Sequence, residues 1–125
     1  MFALRLVSIL ARPSWSRAPN MAPNRMPTAL WVSYRVSRDA SGRISLSTDG
    51  LKGLDLREIE VKDAAVTLKD VYGLVEGVAA YLITKGPVIR DGDTVGHTND
   101  QRILMRHGES YWRPSTRVYR MEYNR

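Results

Sequence analysis

The sequence predicts an α+β fold, with a mainly antiparallel sheet packed by one principal helix. Three observations predict it. Two-residue hydrophobic alternation recurs near both ends of the regular region, one three- and four-residue period runs from Thr67 to Lys85, and turn chemistry rather than further helices joins the remaining segments.

Regular patterning starts at Ala29. Leu30, Val32, Tyr34 and Val36 alternate with Trp31, Ser33 and Arg35, which is strand periodicity. Asp39-Ala40-Ser41-Gly42-Arg43 has the residues of a tight turn, and Ile44 and Leu46 lie on the returning strand, so a first hairpin is expected. A two-glycine loop spans Thr48 to Leu54, and Arg57-Glu58-Ile59-Glu60-Val61 restores alternation. Period two places Glu58 and Glu60 on one side of that strand and Ile59 and Val61 on the other. The plain expectation is a half-exposed sheet with its acids toward water.

Thr67-Leu68-Lys69-Asp70 resembles a capping box with aspartate in the acidic position. Leu68, Val71, Tyr72, Val75, Val78, Ala79 and Leu82 then form one wide apolar face, and Gly86 followed by Pro87 stops the helix at about Lys85. Gly73, Gly77 and Ala80 form a second, small-residue stripe, expected to allow close packing against the sheet or another helix, with a partner subunit as the alternative. Val88-Ile89 reads as a short strand, Asp91-Gly92-Asp93 as a turn that Thr94-Val95 leave, Ile103-Leu104-Met105 as another short strand, Gly108 to Ser115 as a loop, and Thr116 to Tyr123 as the last strand.

Charge separates the chain into two parts. Six of the 19 basic residues and none of the 13 acidic ones fall within residues 1–38, so the remainder carries 13 of each. The net charge of +6 therefore belongs mostly to the leader, which counts against nucleic acid as the partner of a folded basic face. Residues 1–28 are Arg-rich, acid-free and proline-broken, a composition shared by organellar transit peptides and by over-extended reading frames. They read as a disordered or extraneous leader before a single domain at 29–125. No segment has the roughly 20 apolar residues of a membrane span, and a cytoplasmic location is expected. With no cysteine and two histidines, neither a disulfide framework nor a zinc site is expected.

Leu104-Met105-Arg106-His107-Gly108-Glu109-Ser110 resembles the histidine phosphatase and phosphoglycerate mutase signature, in which the histidine accepts the phosphoryl group and arginines neutralise it. That signature opens a much larger α/β domain and recruits a second, later histidine, whereas no histidine follows Ser110 here. Asp91-Gly92-Asp93 with Gly96 and Asn99-Asp100 suggests a calcium loop, but the EF-hand's fifth and twelfth positions are Val95 and Arg102. No Gly-Lys-Ser/Thr opens a helix behind these glycines, so they are not a P-loop, and no serine sits in a nucleophile elbow. Tyr111-Trp112-Arg113, with Tyr119 and Tyr123, has the chemistry to stack on bases or a partner, although aromatics on a half-buried sheet more often belong to the core.

Six ordered landmarks give the chain a family resemblance. They are Trp31-Val32, Thr48-Asp49-Gly50, Glu58-Ile59-Glu60, Tyr81-Leu82, Gly86-Pro87-Val88 and Asp91-Gly92-Asp93-Thr94-Val95-Gly96. Residues 30–123 thereby resemble the bacterial domain-of-unknown-function family 4261. Members of that family usually have more sequence upstream of the tryptophan strand, so the resemblance implies a truncated or solitary C-terminal part. It implies no established activity.

The functional expectation is a non-enzymatic binding or accessory module with a protein partner, no cofactor, no metal and no catalytic set. Its interaction surface is expected at the helix-to-turn segment Ala80–Thr98, centred on Asp91, Gly92, Asp93, Thr94 and Gly96, with Glu58 and Glu60 supporting. The alternative is a small phosphoryl-transfer or hydrolytic enzyme using Arg106 and His107.

Overall fold

The computed structural model describes residues 31–96 and 102–123. The predicted leader at 1–28, Leu30, His97 and Asn99-Asp100 lie outside the described residues. The elements are β1 (Ser33–Arg38), β2 (Ile44–Asp49), a 3-10 turn (Leu51–Leu54), β3 (Glu58–Ala64), α1 (Leu68–Lys85), β4 (Thr94–Val95), β5 (Ile103–Glu109) and β6 (Arg117–Glu122). They form one six-stranded sheet in the order β1-β2-β3-β6-β5-β4.

The class is α+β, and the sheet is mixed rather than purely antiparallel. Neighbouring strands run antiparallel except β3 and β6, which pair in parallel at the sheet's centre. The chain leaves β3 through α1, lays down β4 and β5, and returns as β6 beside β3. Only a long crossover of this kind joins parallel neighbours.

Local chemistry sets each boundary. In the β1–β2 turn the Asp39 Oδ1 accepts from the backbone N–H groups of Ser41 and Arg43, both at 2.9 Å, and from the Ser41 hydroxyl. The Arg43 backbone bond, with help from Ser41, holds the Asp39 carboxyl below its usual range. At the start of α1 the Thr67 hydroxyl accepts from the Asp70 N–H at 3.2 Å, as the capping box requires. At its end Gly86, with φ 88°, donates its N–H to the Leu82 carbonyl.

The register places Val36, Leu46, Val61, Met121 and Met105 in one cross-strand row. All but Val36 are buried, as are Ile59 and Tyr119 beside them, and Val71, Leu74, Val75, Val78 and Leu82 of α1 join the same core. This is the face that α1 covers. The expected close approach at the glycine stripe does not occur at Gly77, where an added Cβ would meet nothing within 4 Å. Gly77 is half-exposed, because the apolar stripe of α1 points the other way, into the sheet.

Two further expectations are corrected. Val88-Ile89 is not a strand: the Ile89 carbonyl is taken by side chains, accepting from the buried Tyr119 hydroxyl at 3.0 Å, instead of by a neighbouring strand. Gly108 and Glu109 belong to β5 rather than to the loop that follows, so the Arg-His-Gly-Glu run is part of a strand.

Candidate functional site

The opposite face of the sheet carries the row Arg35, Ser47, Glu60, Arg120 and Arg106, from β1 across to β5. Glu60 was expected to face water. It is fully buried, as is Glu58. A carboxylate removed from water needs donors, and the segment after β5 brings them. The Ser110 hydroxyl donates to Glu60 Oε2, the Tyr111 N–H donates to Oε1 at 2.8 Å, and the Arg113 guanidinium lies 3.7 Å from Oε2.

Ser110 also accepts from the N–H groups of Trp112 and Arg113, at 3.0 and 2.9 Å. Its proton and its acceptor sites are thereby committed to holding the loop, which leaves it no role as a nucleophile. Arg113 donates to the Thr48 carbonyl at 3.0 Å and lies 3.6 Å from Asp49, so the loop is tied to β2 as well as to β3. Against the expectation of core aromatics, Tyr111 and Trp112 are 38% and 47% exposed, because they stand on this loop and not on a strand. Tyr119, on β6, is in the core as expected.

Trp112 and Arg113 overhang the β1–β2 hairpin and close one side of an open groove of about 270 Å³. Arg35, Val36, Ser37, Ser45, Leu46 and Ser47 line the rest of it. Next to it, Lys62 and Arg120 both lie against the Tyr111 ring, 5.1 and 4.3 Å from its centre. Gly108 leaves space for Arg120, whose Nε would lie 3.2 Å from any Cβ there. The surface thus combines guanidinium, ammonium, hydroxyl and aromatic groups, which is chemistry for anionic and hydrogen-bond-accepting groups.

Glu58 does a different job. It accepts from the Thr48 hydroxyl at 2.8 Å and from the N–H groups of Gly50, Leu51 and Lys52, the first turn of the 3-10 segment. Thr48 in turn accepts from the Ile59 N–H at 2.8 Å. Gly50 is required there: its φ is 133° and a Cβ would fall 2.1 Å from the Trp31 carbonyl oxygen. Thr48-Asp49-Gly50 and Glu58-Ile59-Glu60 are therefore two halves of one hydrogen-bonded unit. The family model described as a domain of unknown function matches residues 47–122, from β2 to the end of β6.

The chain belongs to the DUF4261 family. No curated protein and no solved structure matches it. The Asp91–Gly96 turn lies inside the stretch matched to DUF4261, and its carboxylates bind its own surroundings. Asp93 Oδ2 accepts from the Arg90 N–H and Asp91 Oδ1 from the His107 N–H, each at 2.8 Å. Gly92 donates to the Met105 carbonyl and Met105 donates to the Asp93 carbonyl, both at 2.8 Å, so the turn is stitched to β5. Thr94 and Val95 continue that pairing as β4, and Val95 and Gly96 are buried. The Thr94 hydroxyl is buried with no hydrogen-bond partner among the described residues.

In this DUF4261 chain His107 and Arg106 are consecutive on β5 and point to opposite faces of the sheet. The imidazole packs edge-on against Tyr119 at 5.1 Å with Nε2 3.2 Å from the Ile89 carbonyl, whereas Arg106 Nε lies 3.9 Å from Asp91. The two side chains do not converge on one position for a phosphoryl group. Among the described residues no three His, Asp or Glu side chains are placed to hold a metal ion. No helix of the described residues is long and apolar enough to cross a membrane.

Sequence reasoning missed the groove. Arg35, Ser37, Ser45 and Ser47 look like the solvent side of an ordinary hairpin, and the loop that makes them a site is 63 or more residues away in sequence. The available signal was Glu60, an acid in a strand flanked by apolar residues on both sides, whose partners the sequence does not reveal.

Proposed function

We propose that this domain is a non-enzymatic binding module of the cytoplasm, and that its open sheet face takes up an acidic segment of a protein partner. One observation carries the reading. Buried Glu60 fixes the Ser110–Arg113 loop so that Trp112 and Arg113 stand beside a floor that includes Arg35 and three serines before any ligand arrives. Preorganised donors beside an exposed aromatic ring favour recognition, because little ordering is left for binding to supply. In this reading the Asp91–Gly96 turn contributes shape, holding the far edge of the sheet, and Glu58 keeps the Thr48–Leu54 segment in place beneath Arg113.

Calorimetric titration with a short glutamate-rich peptide tests it. The wild-type protein should bind with one site per chain, and Arg35→Ala and Trp112→Ala should each weaken binding by about tenfold. Equal affinity in wild type and the double variant would reject the groove as the binding surface.

A further inference from the structure

We propose that the partner segment binds as an added strand on β1, with acidic side chains over the groove and apolar ones on the other face. This rests on the binding-module reading and specifies its geometry. β1 is the outer strand of the sheet among the described residues, so one of its two backbone edges has no strand beside it. Five of its six residues are exposed. Such an edge pairs readily with an extended chain.

The two sides of β1 differ in chemistry. Ser33, Arg35 and Ser37 face the groove, paired with Asp49, Ser47 and Ser45 of β2. Tyr34 and Val36 face the side that α1 covers, where Tyr34 packs edge-on against Tyr72 at 4.9 Å. Val36 and Tyr72 remain 45% and 39% exposed, an apolar strip beside the open edge that nothing among the described residues covers. An added strand would place alternate side chains on these two surfaces. One set would meet Arg35 and Arg113, and the other Val36 and Tyr72.

Charge selects the occupant. Arg35, on the groove side, and Arg38, at the strand's end on the side of Val36, lie on β1, which carries no acid, and neither enters an ion pair among the described residues. A second copy of β1 would bring the same cations against them, and like charges across a strand pair are destabilising. A segment alternating acidic and apolar residues satisfies both sides. Phosphate-bearing single strands would satisfy the cations but not the Val36–Tyr72 strip.

The test is fluorescence anisotropy with a labelled peptide of alternating glutamate and valine, matched to the length of β1. Two more versions carry backbone N-methyl groups on one or the other set of alternate residues. Saturable binding is expected, weakened at least about tenfold by Arg35→Glu and by one N-methyl set only, since just one set of N–H groups faces β1. If both N-methylated peptides bind as tightly as the parent while Arg35→Glu still weakens them, strand addition is wrong and the binding-module reading stands. If the peptide does not bind at all, or binds with no dependence on Arg35, both fail. Dimerisation of the protein through β1, or preferential salt-sensitive binding of single-stranded RNA over the peptide, would also overturn the proposal.

Discussion

The two faces of the sheet bury side chains by opposite means. Under α1, aliphatic groups from five strands and the helix close on one another, and the buried Tyr119 phenol among them reaches a backbone carbonyl. On the open face the buried groups include a carboxylate, Glu60, with a loop wrapped around it. The first arrangement is insensitive to sequence detail so long as volume is conserved. The second depends on particular donors at particular positions, and that dependence gives the open face a defined shape without a covering helix.

The largest expected effect is on the covered face. Ile59→Ala removes a fully buried side chain and should cost about 4 kcal/mol in urea unfolding, with the denaturant slope unchanged. Glu58→Gln keeps the shape but turns part of an amide toward N–H donors, and a loss of about 2–3 kcal/mol is expected. Glu60→Gln should cost less, about 1–2 kcal/mol, because its partners lie on a loop that can move into water. A larger loss at Glu60 than at Ile59 would mean that the open face, not the core, dominates stability.

Tyr119→Phe gives a smaller effect, about 1 kcal/mol at neutral pH, from the lost bond to the Ile89 carbonyl. Burial pushes the Tyr119 phenol from its usual 10.0 up to about 12, with Asp93 adding to the rise and Arg57 opposing it. The folded value lies above the unfolded one, so this contribution is complete below pH 10 and is lost as pH rises through 12. Wild type should therefore lose stability relative to the Phe variant across that interval, as followed by chemical unfolding at each pH. Smallest of all, Arg35→Ala should change stability by less than about 0.5 kcal/mol while weakening peptide binding. Arg35 separates the two functions of the open face, since it lines the groove without holding the loop.

Elements whose information is local were legible in the sequence. The Asp39 turn, the Thr67 cap and the Gly86 stop each depend on residues within a few positions and agree with the structure, whereas the apolar face of α1 agrees only in outline: Tyr72 is exposed, and Leu74 and Ala80 are buried instead. The parallel pairing of β3 with β6 depends on where a crossover returns, which no local pattern encodes. The glutamates of β3 failed for the same reason. Alternation says which side a residue takes, but whether that side is wet depends on Ser110–Arg113, some fifty residues later. Glu58 and Glu60 were named as supporting residues, and the structure gives each a distinct set of donors.

The most direct measurement is amide hydrogen exchange at Tyr111, Trp112 and Arg113 in wild type and Glu60→Gln. If Glu60 holds the loop over the groove, these three amides are protected in the wild type. In the variant they should then exchange at least about tenfold faster, while the β5–β6 amides near Met105 and Met121 are unchanged. Equal protection of the three amides in both proteins would contradict the account, because the loop would then keep its place without the buried carboxylate.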